Sequence, residues 1–132
     1  MDKTLGMLGL AQKAGRVQIG EEPVGTAAAA GKARLILLAS DAAGNSRNRA
    51  AKFAALHGTP LLDLPYDKQS LGGIFGRASC AMVAITDFRM ALSLVQALGL
   101  AEDDPIVVEL SAKSSRVGVK KHAAPKPGAG RT

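Results

Sequence analysis

Apolar positions recur along the first hundred residues in two alternating rhythms, one of helical period and one of strand period. In 2–14, Leu5, Met7, Leu8, Leu10 and Ala11 fall roughly on one helical face, and Gly15 is a natural stop. Arg16-Val17-Gln18-Ile19 alternates polar and apolar, which predicts a short strand. Gly20 then punctuates, and Glu21-Glu22-Pro23 predicts the opening of a second helix that runs through the alanine block to Gly31. Acids suit the positive end of a helix dipole, and proline suits the first turn, where its missing N–H costs nothing. Leu35-Ile36-Leu37-Leu38-Ala39 is a continuous apolar run too short for a helix, and predicts a strand buried on both faces within 33–40. A helix over 47–57 follows, with Ala50, Phe53, Ala54 and Leu56 at helical spacing and Gly58 closing it. Next come a strand over 60–64, a short helix over 67–75 weakened by Gly72-Gly73, a strand over 80–85 and a helix over 87–98. Helix and strand alternate throughout, which predicts an α/β domain with helices on both faces of its sheet.

Past Gly99 the pattern degrades. Pro105-Ile106-Val107-Val108-Glu109-Leu110 predicts at most a brief docked segment with little to pair with. From Ser111 the chain is Ala, Gly, Pro, Ser and Lys/Arg with two lone valines, too little apolar surface to offset ordering entropy. The expected organisation is a domain over 1–99, an acidic linker or short docked segment over 100–110, and a disordered basic tail over 111–132.

Composition alters this picture in two places. Hydrophobic residues make up 47% of the chain but aromatics only 3%, so the core has to be built from Leu, Ile, Val, Ala and Met. The net charge of +6 is unevenly placed: residues 1–110 carry eleven Lys/Arg and eleven Asp/Glu. The whole excess lies in Lys113, Arg116, Lys120, Lys121, Lys126 and Arg131, with no acid among them. A cationic tail on a neutral body points to a polyanionic partner. A single cysteine, Cys80, excludes an internal disulfide and a multi-cysteine zinc site. There is no apolar run of membrane length and no secretory-type amino terminus, so a cytoplasmic protein without a membrane partner is expected.

Catalytic constellations do not emerge. Gly25 to Lys32 superficially resembles a phosphate-binding loop, but five residues separate its glycines, Ala33 replaces the hydroxyl, and the second glycine ends a helix instead of opening one. Asp41, Asp67 and Asp87 each precede a predicted helix, and Ser40-Asp41 is expected to cap the helix after it. Asp63 lies at a strand end, His57 at a helix end, and Cys80 within a buried strand as a small hydrophobe. No enzyme, no metal, no cofactor and no small-molecule substrate is expected.

What remains is basic residues beside glycine-rich turns. Lys13, Arg16, Gly20, Glu21 and Glu22 surround the entry to the second helix, Lys32 and Arg34 follow it, and Gly76-Arg77-Ala78-Ser79 precedes the last strand. A helix amino terminus offers backbone N–H groups to a phosphate, and flanking cations neutralise the nucleic-acid backbone.

These motifs carry a resemblance. Leu8-Gly9-Leu10-Ala11-Gln12-Lys13-Ala14-Gly15-Arg16, Gly20-Glu21-Glu22, the run from Gly31-Lys32-Ala33-Arg34 to Ser40-Asp41, and Leu71-Gly72 before Val83-Ala84-Ile85 follow one another in the order and spacing of a ribosomal protein family. The chain resembles the L-seven-Ae/L-thirty-e kink-turn-binding group over about residues 4–98, and its bacterial ribosome-associated branch in particular. The resemblance implies a three-layer α/β/α sandwich with a four-stranded mixed sheet. It also implies that the glycine-led turn and the start of helix two meet RNA, with the segment before the last strand as a second contact.

In that family the turn reads Gly-x-Asn-Glu, with Lys three residues on. Here Gly20 keeps the glycine, while Glu22, Pro23 and Thr26 stand at the Asn, Glu and Lys positions. An ionised Glu only accepts hydrogen bonds and repels phosphate. The resemblance therefore implies RNA binding in general more than kink-turn recognition. The residues expected to contact RNA are Lys13, Arg16, Gly20, Glu21, Glu22, Thr26, Lys32, Arg77, Ala78 and Ser79, with the tail cations as accessories. The expected partners are structured ribosomal RNA and the ribosome. The alternative is a protein-interaction module that keeps the fold and presents Glu21-Glu22-Pro23 as an acidic edge.

Overall fold

The computed structural model describes residues 2–123, with side chains as far as Ser115. Its elements run α1 (Lys3–Lys13), β1 (Val17–Ile19), α2 (Glu21–Ala29), β2 (Leu35–Leu38), α3 (Gly44–His57), β3 (Leu61–Asp63), α4 (Lys68–Ile74), β4 (Met82–Ile85), α5 (Phe88–Ala97) and α6 (Pro105–Ala123). The sheet order is β1-β4-β2-β3. β4 pairs antiparallel with both β1 and β2, while β2 pairs parallel with β3, so the sheet is mixed.

Strand alternation sorts the side chains into two cores. Val17, Ile19, Leu35, Leu37, Val83 and Ile85 belong to one core with Leu8 of α1, Leu71 of α4, Leu94 of α5, and Val107 and Leu110 of α6. Ile36, Leu38, Met82 and Ala84 belong to the other with Val24, Ala27 and Ala28 of α2 and Ala50 of α3. All eight residues of β2 and β4 are buried, as expected of strands covered on both faces. The architecture is the three-layer α/β/α sandwich, built from aliphatic side chains with Phe75 the one aromatic ring in the buried core.

The carboxyl-terminal segment corrects the sequence reading. Residues 105–115, expected to be at most a brief docked segment and the first residues of the tail, form the docked part of α6. Val107, Leu110 and Ser114 are buried at spacings of three and four and lay the helix against α5. Asp104 opens it, its carboxylate accepting from the Ile106 N–H at 2.9 Å. The rest of the expected tail, 124–132, lies outside the described residues.

A second correction concerns capping. Asp67 and Asp87 cap their own helices, accepting from the N–H groups of Ser70 and Met90. Asp41 does not cap α3, which begins at Gly44 after Ala43. Its carboxylate instead accepts from the Lys68 N–H at 2.8 Å, so the amino terminus of α4 is held by two aspartates from different loops. That is possible because the Ser40 N–H donates to the Tyr66 carbonyl, drawing the two loops together.

Candidate nucleic-acid interface

β1 is an edge strand, so one long side of the sheet is open beside α2. Gly20 turns the chain from β1 into α2 at φ 99° and ψ 164°, a backbone region that is essentially glycine's alone. Its N–H donates to the Met82 carbonyl at 2.9 Å, which ties the turn to the start of β4. The loop 76–79 enters β4 at that same end. The Gly20 turn and the Arg77-Ala78-Ser79 segment, far apart in sequence, are therefore neighbours. α2 has no side-chain cap, so its first amides face this end of the sheet, except at Pro23, which has none.

Cys80 sits beneath the junction with 5% of its surface exposed. Burial pushes its thiol pKa up, more than the Met82 backbone, the Arg77 charge and the Gly20 N–H lower it. The thiol is thus kept neutral and packs as a small apolar group.

From this junction an open groove of about 390 Å³ follows the outer side of α2, lined by Gln18, Glu22, Pro23, Thr26 and Lys32 among others. Alternation explains its floor, because Val17 and Ile19 point into one core and leave Gln18 on the α2 face. Nine helical residues give the groove a length of about 14 Å. Lys32 stands at its far end, held where the Lys32 N–H returns to the Ala27 carbonyl.

The expected contact residues consequently divide. Gly20, Glu21, Glu22, Arg77, Ala78 and Ser79 lie at the β4-entry end. Lys13 and Arg16 lie at the opposite end of β1, where the Arg16 carbonyl accepts from Thr86. Lys32 returns to that opposite end after α2. Glu22 and Thr26 line the wall between the two ends. Lys13, Arg16, Glu22, Thr26, Lys32 and Arg77 are all exposed. Glu21 is not open in the same way. Its carboxylate accepts from the Ser46 hydroxyl at 2.6 Å and pairs with Arg49 at 2.7 Å, fastening α2 to α3. Within Glu21-Glu22-Pro23, Glu22 is exposed and has no such partner among the described residues.

Other charged residues are engaged in structure. Arg47 pairs with Asp63 at 2.8 Å and donates to the carbonyls of Ala39, Ser40 and Ala42. The four aspartates at the strand ends therefore each have a partner: Asp63 with Arg47, and Asp41, Asp67 and Asp87 with helix amides. Among the described residues no three of His, Cys, Asp and Glu cluster closely enough to hold a metal ion, and no helix is long and apolar enough to cross a membrane.

Two features escaped the sequence reading. Gln18 is a groove residue because β1 is an edge strand, and strand order is not written locally. A second cavity, of about 240 Å³ between α1 and α5, is lined by Met7, Leu8, Leu10 and Met90 among others. Leu10, 64% exposed on its rim, sits on the apolar side of α1 and was indistinguishable by spacing from a core residue.

No family model matches the chain, and no curated protein does. One solved structure that does match is that of a protein of unknown function from Bacillus halodurans, with a TM-score of 0.69 and 25% identity. The two share a fold. The likeness covers 100% of the Bacillus halodurans chain and 76% of this one, so about a quarter of this protein has no counterpart there.

Proposed function

We propose that this is a non-enzymatic, cytoplasmic RNA-binding protein of the bacterial ribosome-associated branch of the L-seven-Ae/L-thirty-e group, acting on structured ribosomal RNA or in ribosome assembly. The observation that carries the reading is the Gly20–Met82 hydrogen bond. It sets the glycine-led turn at α2 beside the Arg77-Ala78-Ser79 segment, the two places where the resemblance expects RNA. Lys32 lines the groove, while Arg77 lies on the loop at the β4-entry end of the sheet and Arg16 and Lys13 at the opposite end of β1, so cations stand to either side of a backbone-sized track.

The same groove argues for a target other than the kink-turn. Glu22 presents a carboxylate where that mode needs a side chain that both donates and accepts, and Thr26 supplies no charge for the adjacent phosphate. Glu21, locked to Ser46 and Arg49, positions the helix and does not read a base.

The test is titration of structured ribosomal RNA fragments with the full chain and with Arg16→Ala, Lys32→Ala and Arg77→Ala variants across salt concentrations. Each variant is expected to weaken binding and to reduce the salt slope by about 0.7–0.9 per lost phosphate contact. Affinities and slopes equal to wild type in all three remove the groove from RNA binding. Glu22→Asn with Thr26→Lys is expected to raise affinity for a kink-turn RNA, restoring the groups that the native groove lacks.

A further inference from the structure

α6 changes what the α2–β2 turn faces. It follows α5 in sequence, and its Lys113 lies 5.7 Å from the ring of Phe88, the first residue of α5. α6 therefore runs back along α5. On the same ring lies Arg34, its guanidinium 4.4 Å from the centroid and donating to the Gly31 carbonyl at 2.9 Å. Between the turn and the helix is a cleft of about 80 Å³, walled by Arg34, His57, Thr59, Phe88 and Lys113 among others. That leaves room for a phosphate group.

The chemistry of the cleft is cationic. Lys113 is balanced by Glu109 at 2.9 Å, but Arg34 forms no ion pair among the described residues. One of its five N–H groups is used by Gly31, which leaves the rest of the fork for an anion. The cleft also adjoins the groove, because Lys32 lines one and its neighbours Gly31, Ala33 and Arg34 line the other.

We propose that the cleft between the α2–β2 turn and α6 is a second phosphate site for the RNA held in the groove. The proposal rests on the RNA-binding reading above.

The experiment uses the full chain and a structured ribosomal RNA hairpin titrated between about 50 and 200 mM salt, the range in which phosphate contacts are read. Arg34→Gln, which removes the guanidinium charge from the cleft, is compared with Lys32→Ala, and urea unfolding checks that each remains folded. Arg34→Gln is expected to weaken binding about three- to tenfold and reduce the salt slope by about one. Wild-type binding by the cleft variant, with Lys32→Ala impaired, overturns the cleft site and leaves the groove standing. No RNA binding by the wild-type chain overturns the functional reading itself.

Discussion

Gly72 of α4 touches the backbone of Ser79: a Cβ at position 72 would lie 2.7 Å from the Ser79 Cα and 2.9 Å from its nitrogen. The helix is thereby packed directly on the loop that presents Arg77 beside the α2 turn, and the Arg77 N–H donates to the Gly72 carbonyl at 2.8 Å. Backbone cannot swing aside as a side chain can. Gly72→Ala is expected to destabilise the fold by about 1–3 kcal/mol, the range for overpacking a close contact, and to weaken the proposed RNA binding by moving the loop. The urea midpoint should fall at unchanged m-value. The adjacent Gly73 meets nothing within 4 Å, so Gly73→Ala should have the opposite sign and add about 0.5–1 kcal/mol through helix propensity. Equal effects at the two positions contradict the packing argument.

Gly25 makes the corresponding approach between α2 and α3, where a Cβ would lie 2.7 Å from the far edge of the Phe53 ring. A ring tip can pivot, so Gly25→Ala is expected to cost less than Gly72→Ala. The cost should shrink when Phe53→Leu is added. The coupling, read from a double-mutant cycle of unfolding free energies, is expected at about 0.5 kcal/mol or more. Simple additivity of the two substitutions contradicts a direct contact.

Asp2 caps α1 through the Thr4 N–H and also accepts from the Tyr66 hydroxyl at 2.8 Å. The Tyr66 hydrogen bond, followed by the Thr4 amide, holds the Asp2 carboxyl below its ordinary value of 3.8. Asp67 is lowered too, chiefly by the Ser70 amide. A carboxylate depressed on folding contributes stability that is present above the unfolded value and disappears as pH falls through the folded one. Stability should therefore decline below about pH 4, where the unfolded carboxylates begin to bind protons. In Tyr66→Phe the Asp2 carboxyl should titrate closer to 3.8, a shift that carboxyl-detected NMR resolves residue by residue. Burial, and then Asp2, raise the Tyr66 hydroxyl above 10.0, so the same contact is lost on the alkaline side as pH rises through the folded value.

Leu110 is fully buried on α6, whereas Val108 is 54% exposed two positions earlier. Leu110→Ala is expected to cost about 2–5 kcal/mol, as for a buried leucine whose site cannot fully collapse. Val108→Ala should stay within about 0.5 kcal/mol. Because Leu110 joins the core with Leu94 and Val95 of α5, its loss should also reduce helicity by circular dichroism. Equal effects of the two substitutions mean that α6 is not docked as described.

Much was legible in the sequence because it is local. The period of apolar residues gave four strands and five helices in order, and Gly15, Gly31 and Gly58 mark turns by their positive φ. Helix boundaries that depend on a neighbouring residue, such as Asp67 and Asp87, followed from cap chemistry. That the docked segment at 105–110 is the start of a helix was not legible, for a definite reason. Its buried stripe of Val107, Leu110 and Ser114 is short and includes a serine, so composition outweighed periodicity, and only the face offered by α5 makes the helix worth its ordering entropy.

The candidate site divides the same way. Sequence by itself determined which residues carry the chemistry: a glycine-led turn, an uncapped helix start, scattered cations and a neutral body with a basic end. Only tertiary structure decided which of them meet. Strand order put β4 between β1 and β2, which brought Gly20 to Met82 and left Gln18 on an open edge. Packing of α2 on α3 turned Glu21 inward to Ser46 and Arg49, and packing of α6 on α5 brought Lys113 to the ring beneath Arg34. Pairing between distant segments depends on how whole hydrophobic faces match, and no window along the chain contains that information.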